Sequence, residues 1–202
     1  MRVIAGSARG RPLRAPRGDT RPTSDKIKGA IFSMLEAEAM RRGLHAFERD
    51  GQPAFAAAQA WPTWLDLYAG SGALGIEALS RGVQAVDFVE RDPAARASIL
   101  ANLQHTGLAA HGRLLPASAE ALFAAAERGY DVVLLDPPYA AVEPRELLAR
   151  VVQANLVNAG GIVVLEHASE RVVPDQVGPL RLLRHRRHGR TGISIYQLVA
   201  GE

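Results

Sequence analysis

Asp66-Leu-Tyr-Ala-Gly-Ser-Gly-Ala-Leu-Gly75 is the stretch that decides the fold. It follows a short apolar run, Trp64, Leu65 and Leu67, and leads into a helical pattern over 73–81. Glycines at 70, 72 and 75 spell G-x-G-x-x-G between a predicted strand and a predicted helix, the context that a nucleotide-binding fingerprint needs. Gly70 and Gly72 permit a tight turn and a close approach of ligand to backbone. Gly75 lets the helix lie against the sheet. Taken alone the pattern is weak, so its weight depends on what surrounds it.

Downstream, strands and helices alternate. Strands are expected at 63–68, 85–89, 112–117, 130–135, 161–166, 180–187 and 193–199, and helices at 73–81, 93–106, 119–128 and 144–155. Tyr130–Leu135 reads as a central strand buried on both faces. Arg190, Thr191 and Gly192 leave room only for a turn between the last two strands, which predicts an antiparallel hairpin. The expectation is an α/β fold: a Rossmann-like, doubly wound, mostly parallel seven-stranded sheet with an antiparallel last strand and helices on both faces. In such sheets ligands bind outside the carboxyl ends of the strands. The loops after 68, 89, 117 and 136 then share one edge. They bring the glycine loop, Glu90, Ser118 and Asp136-Pro-Pro-Tyr139 around one crevice.

Upstream, residues 1–22 mix short apolar pieces with Gly, Pro and Arg. Val3-Ile4-Ala5 and Pro12-Leu13-Arg14 predict a small hairpin arm that exposes Arg2, Arg9, Arg11 and Arg14 and needs a partner or the main domain to order it. Pro22-Thr23-Ser24-Asp25 is a helix-start signal, and Ile27, Ile31, Met34 and Leu35 recur at helical spacing up to a stop at Gly43. Residues 44–62 lose periodicity and read as a loop or partly helical linker. The organisation expected is a basic arm and helix over 1–43, a linker or insertion over 44–62, and the main domain over 63–202.

Composition narrows the class. The 202 residues are 48% hydrophobic and 22% charged, as in an ordinary globular protein long enough for one sizeable core. With no cysteine there is no disulfide, thiolate metal site or cysteine nucleophile. The six histidines lack H-E-x-x-H spacing, so no metal is expected. No signal-peptide pattern and no run of about 18 apolar residues is present, which predicts a cytoplasmic chain without a membrane partner. The net charge of +3 hides an asymmetry. Residues 1–28 hold eight Arg/Lys against two Asp, and residues 181–190 hold five Arg and no acid, so the rest of the chain is net acidic. Basic ends on an acidic body suit a polyanionic partner, nucleic acid first.

Within the crevice, Glu90 stands twenty residues after Gly70 at a strand end, where a carboxylate can accept the hydroxyls of an adenosine ribose. Asp92, just before Pro93, more naturally caps the next helix. Asp136-Pro137-Pro138-Tyr139 is the most informative tetrapeptide. Its prolines fix the backbone and carry no amide hydrogen, so the Asp136 carboxylate and the Pro137 carbonyl form two convergent acceptors. Such a pair suits a planar amine, and Tyr139 offers a face on which a base can stack.

The glycine loop combined with Asp136-Pro-Pro-Tyr139 resembles the S-adenosylmethionine-dependent amino-methyltransferases, which act on exocyclic amines of bases. Arg21-Pro-Thr-Ser-Asp-Lys-Ile-Lys-Gly-Ala-Ile-Phe32, then Tyr68 to Arg81, and Gly6-Ser-Ala-Arg-Gly-Arg11 are similar to the RsmD family, bacterial enzymes that methylate N2 of a guanine in 16S ribosomal RNA. The similarity covers nearly the whole chain. It implies S-adenosylmethionine as cofactor, held by Asp66, Tyr68, Gly70, Ser71, Gly72, Glu90, Arg91, Ser118, Ala119 and Asp136. It implies Asp136, Pro137 and Tyr139 as the catalytic group. It gives Arg9, Arg11, Arg14, Arg21, Arg186, Arg187 and Arg190 the task of contacting 16S rRNA, within a small-subunit particle, by a monomeric protein. Three positions depart from the family pattern. Residues 44–62 are longer than its usual connector, Ser118 stands where Asp or Asn commonly meets the adenine, and Lys28-Gly29 replaces Arg-Glu. The rival readings are an adenine-N6 methyltransferase, an NAD-dependent dehydrogenase using the glycine loop, and a noncatalytic RNA-binding assembly factor.

Overall fold

Ser24 starts the first helix. Its side chain accepts a hydrogen bond from the Ile27 amide at 3.2 Å, and α1 (Asp25–Arg41) follows with Ile27, Ile31, Met34 and Leu35 turned inward. The computed structural model describes residues 1–16, 24–49, 51–138 and 143–199. Arg21 and Tyr139 lie outside them.

The stretch after α1 has more structure than its lack of periodicity predicts. β1 (Phe47–Arg49) pairs antiparallel with β2 (Gln52–Ala54), and α2 (Ala56–Ala60) follows. The Glu36 carboxylate of α1 accepts from the Ala56 and Ala57 amides at 2.9 and 3.0 Å, so the cap of α2 comes from another helix. Three-residue strands and a five-residue helix are too short to show a period. Ala56, Ala57, Ala58 and Trp61 are nonetheless buried in the same core as α1.

The rest builds the main sheet. β3 (Thr63–Leu67), α3 (Ala73–Ser80), β4 (Ala85–Val89), α4 (Pro93–Thr106), β5 (Gly112–Leu115), α5 (Ala119–Ala125), β6 (Tyr130–Leu135), α6 (Pro144–Gln153) and β7 (Val157–Ala168) alternate along the chain. β8 (Gln176–Val177), β9 (Leu180–His188) and β10 (Thr191–Leu198) close it. The spatial order is β5-β4-β3-β6-β7-β10-β9-β8. The first five strands run parallel; β10 lies antiparallel to both β7 and β9. The sheet therefore has eight strands where seven are expected, because the two-residue β8 adds to the β9 edge.

Burial alternates with a period of two. Trp64, Phe88, Leu134 and Val164 face the layer that holds α1 and α3. Leu65, Leu135 and Leu165 face the opposite layer, with Leu147 and Leu148 of α6. Gly75 sets the closest approach of helix to sheet: a Cβ there would lie 2.3 Å from a ring carbon of Phe88. The N-terminal arm makes one isolated bridge, Arg2 to Pro12, in place of two short strands. It is ordered by the main domain. Val3 and Leu13 are buried, the Ser7 amide donates to the Ser80 carbonyl at 2.8 Å, and the Ile4 and Ala5 amides donate to the Glu77 carboxylate at 2.7 and 3.1 Å.

Candidate active site

From β3 the chain moves outward one way through β4 and β5, and the other way through β6 and β7. The crevice for a ligand opens where the order reverses, at the carboxyl ends of β3 and β6. Leu67 is level with Leu135 across this pair, so the glycine loop and Asp136 emerge side by side.

The glycine loop needs left-handed backbone at three places: Tyr68 (φ 78), Gly70 (φ 54) and Gly72 (φ 76), which caps α3. Glycine adopts this conformation freely, whereas a tyrosine there costs about 1–3 kcal/mol. The Tyr68 hydroxyl is buried and has no hydrogen-bond partner among the described residues. Burial raises its pKa, and the nearby Glu120 charge adds to this. A Cβ on Gly70 would meet only the Tyr68 carbonyl, at 4.0 Å, so the space over the loop is open. An open loop beside an orphaned buried hydroxyl fits a polar cofactor.

Glu90, at the end of β4, is held in place by backbone. One carboxylate oxygen accepts from the Gly70 amide at 2.8 Å and the other from the Asp92 amide at 2.8 Å. Each oxygen has lone-pair capacity left for a ligand hydroxyl. Asp92 caps α4 through the Ala95 amide at 2.7 Å, as its place before Pro93 predicts. Arg91 is exposed beside them. Ser118 is the N-cap of α5: its hydroxyl accepts from the Ala121 amide at 3.1 Å and also bonds the Glu120 carboxylate. Ala119, next to it, is buried.

Asp66 is 2% exposed and accepts from the Gly75 amide at 2.9 Å. Burial foremost, then the charges of Asp136 and Glu90, push its carboxyl up to about 7, against the pull of that amide. Three carboxylates thus converge on the crevice. Asp136 is half-buried and Pro137 buried, and Pro137 lines a shallow pocket with Pro144, Leu147, His167 and Arg171.

Ser71 is buried and reaches back to the arm: its hydroxyl lies 3.8 Å from the Met1 sulfur, and its carbonyl accepts from Asn102 at 2.9 Å. The arm exposes Arg9, Arg11 and Arg14, and the Arg11 guanidinium donates to the His105 carbonyl at 2.7 Å. Arg186, Arg187 and Arg190 are exposed at the far end of the sheet. Arg186 is level with Ile193 and Arg187 with Gly192, so the two point to opposite faces. The hairpin arginines therefore do not share one face.

Two supporting groups escape sequence reasoning. Glu77 is fully buried. Besides the arm amides it accepts from Arg81 Nε at 2.8 Å and lies 3.5 Å from the buried Lys28 ammonium. An acid inside the apolar run Ala73–Ser80 was a readable signal for it. Asn102, 1% exposed, had only the mild signal of an asparagine inside a helix.

Comparison with known proteins bears on this geometry. Residues 1–197 match the family model described as "Conserved hypothetical protein 95". "Putative rRNA methyltransferase YlbH" of Bacillus subtilis is 39% identical over 201 residues, covering 98% of each chain. "Ribosomal RNA small subunit methyltransferase D" of Escherichia coli K12 is 29% identical over 207 residues, covering 99% of this chain and 91% of that protein. Among solved structures, "Putative methyltransferase yhhF from Escherichia coli" superposes with a TM-score of 0.78 at 25% identity, over 100% of this chain and 99% of the other. The fold also recurs, at a TM-score of 0.61 and 16% identity, in an RNA methyltransferase from Salinibacter ruber in complex with S-adenosyl-L-homocysteine, over 90% of this chain and 96% of that one.

Proposed function

We propose that this chain, which belongs to the Conserved hypothetical protein 95 family, also called the RsmD family, transfers a methyl group from S-adenosylmethionine to the exocyclic N2 of a guanine in 16S ribosomal RNA. The family and the fold are those of methyltransferases. The observation that carries the reading is the placement of Asp136-Pro137 beside the glycine loop, with Leu67 and Leu135 in register. Small-subunit rRNA as substrate is supported by the name of the Escherichia coli relative, and the basic arm and hairpin give that RNA two surfaces to meet.

The cofactor's sulfonium supplies an activated methyl group and a good leaving group, so the chain needs no covalent intermediate. Glu90 accepts the ribose hydroxyls. Gly70 and Gly72 let the loop backbone approach the ligand. Ser118 and Ala119 border the adenine, and Asp66 and Ser71 stiffen the loop from below. The guanine amine is a poor nucleophile because its lone pair is delocalised into the ring. Asp136 and the Pro137 carbonyl accept its two hydrogens, favour a pyramidal nitrogen and aim its lone pair. Much of the rate then comes from positioning. The proton shed by the methylated nitrogen goes to Asp136 or to water. Tyr139 stacks on the base, which leaves its own stack to reach the crevice. Arg9, Arg11, Arg14, Arg21, Arg186, Arg187 and Arg190 contact phosphates and set the register. The protein works as a monomer in the cytoplasm, on a small-subunit particle.

The test is methyl transfer from labelled S-adenosylmethionine to small-subunit particles that lack the modification, with wild type and Asp136→Ala in parallel. The expected result is incorporation by the wild type and at least a hundredfold less by the variant, with cofactor binding retained. Equal incorporation by both would remove Asp136 from the reaction.

A further inference from the structure

Asn102 joins two parts of the molecule that the reaction uses separately. It projects from α4 and is 1% exposed. Its Oδ1 accepts from the Arg14 amide at 2.8 Å and its Nδ2 donates to the Arg14 carbonyl at 3.0 Å, so it grips both polar groups of one arm residue. The same Nδ2 donates to the Ser71 carbonyl at 2.9 Å. Ser71 lies between Gly70, whose amide is tied to Glu90, and Gly72, which caps α3. Three bonds from one buried amide therefore connect an arm that carries exposed arginines to the loop that meets the cofactor.

Among the described residues one other contact joins arm and loop, the Met1 sulfur at 3.8 Å from the Ser71 hydroxyl, and it does not touch Arg14; the remaining ties run elsewhere. Glu77 holds Ile4 and Ala5, and Ser80 holds Ser7 and Ala8; both contacts are on α3, away from the loop. Arg11 is tied to the carbonyl of His105, on the same helix as Asn102. The arm can thus stay docked through α3 while its Arg14 end is released. Among these contacts the Asn102 amide is the one that bonds directly to both Arg14 and residue 71.

We infer that Asn102 is a positioning residue that couples the two binding steps: a loop ordered by cofactor fixes the arm end for RNA, and RNA held by the arm fixes the loop for cofactor. Coupling of this kind is reciprocal, because each ligand must change the other's affinity by the same factor. The inference rests on the RNA-methyltransferase reading above.

The experiment measures the affinity of the full-length protein for unmethylated small-subunit particles with and without saturating S-adenosylhomocysteine, and the affinity for S-adenosylhomocysteine without particles. Wild type is compared with Asn102→Asp, which keeps the acceptor for Arg14 and loses both donor bonds, and with Arg14→Ala. Thermal melts check that each variant folds. In the wild type, the ligand is expected to tighten particle binding by about tenfold. In Asn102→Asp the factor should fall to about one, with the unliganded particle affinity changed by less than about threefold. Arg14→Ala should weaken particle binding and leave affinity for the ligand alone unchanged. A purely structural role for Asn102 would lower the melting temperature and leave the coupling factor as in wild type, which overturns the inference. A wild-type factor of one overturns it as well. If the wild type binds no particles in either state, the functional reading fails and takes the inference with it. If Asn102→Asp does not fold, Asn102→Gln, whose longer amide keeps the chemistry and displaces the bonds, takes its place in the same comparison, with the same two outcomes.

Discussion

Asp66→Asn should change the pH dependence of stability more than stability itself. The Asp66 carboxyl is pushed up to about 7 in the folded protein, first by burial and then by Asp136 and Glu90. In the unfolded chain an aspartate titrates near 3.9. Between these values the folded state keeps a proton that the unfolded state has released, so folding stability falls as pH rises. Each unit of pH in that window costs about 1.4 kcal/mol, and the loss levels off above the folded pKa. Below the unfolded pKa the contribution is fully retained. Asparagine does not titrate, and its amide oxygen still accepts from the Gly75 amide as the Asp66 carboxylate does. The gap between variant and wild type should therefore shift in favour of the variant by about 2–3 kcal/mol between pH 5 and pH 7.5. Urea titrations of both proteins at the two pH values measure it. A gap that stays constant across this range would refute the argument that burial beside two carboxylates perturbs this group.

Other perturbations probe the scaffold and the crevice. Gly75→Ala gains helix propensity, worth about 1 kcal/mol, but drives a methyl into Phe88 and Val86; a net loss of about 1–2 kcal/mol is expected, and a neutral urea midpoint would show that the helix can lift off the sheet without cost. Glu77→Ala takes the buried carboxylate from the Lys28 ammonium, leaving it the half-exposed Asp25 at 3.7 Å and the Arg2 carbonyl, and strips two arm amides of their acceptor, so a loss of about 3–5 kcal/mol is expected by guanidinium titration. Glu90→Ala removes a charged acceptor held at the strand end, and calorimetry should record S-adenosylhomocysteine binding at least tenfold weaker.

The main sheet was legible in the sequence because its strands and helices are long enough to show a period and are punctuated by residues with a mechanism. Asp92 before Pro93 starts α4 at the expected residue, and Tyr130–Leu135 forms β6 with the expected bounds. The segment 44–62 was not legible, since its elements are two strands of three residues and a helix of five whose cap is lent by Glu36. The arm is a similar case: Arg2 and Pro12 meet at a single bridge, and what orders it is the side chain of Glu77, seventy residues away in sequence. In the crevice, Glu90 and the glycine loop could be placed from spacing. Their direct bond could not, because a backbone amide's hydrogen given to a side-chain carboxylate leaves no mark in spacing. Asn102 lay furthest out of reach: three bonds from one amide to two distant segments follow from tertiary packing alone.

The most direct test of the whole account is to digest the RNA of small-subunit particles methylated by the wild-type protein and identify the modified nucleoside by mass. The account predicts N2-methylguanosine, and none from Asp136→Ala. N6-methyladenosine would keep the fold and the cofactor but contradict the substrate, and no methylated nucleoside at all, with cofactor still bound, would mean that the acceptor is not this RNA.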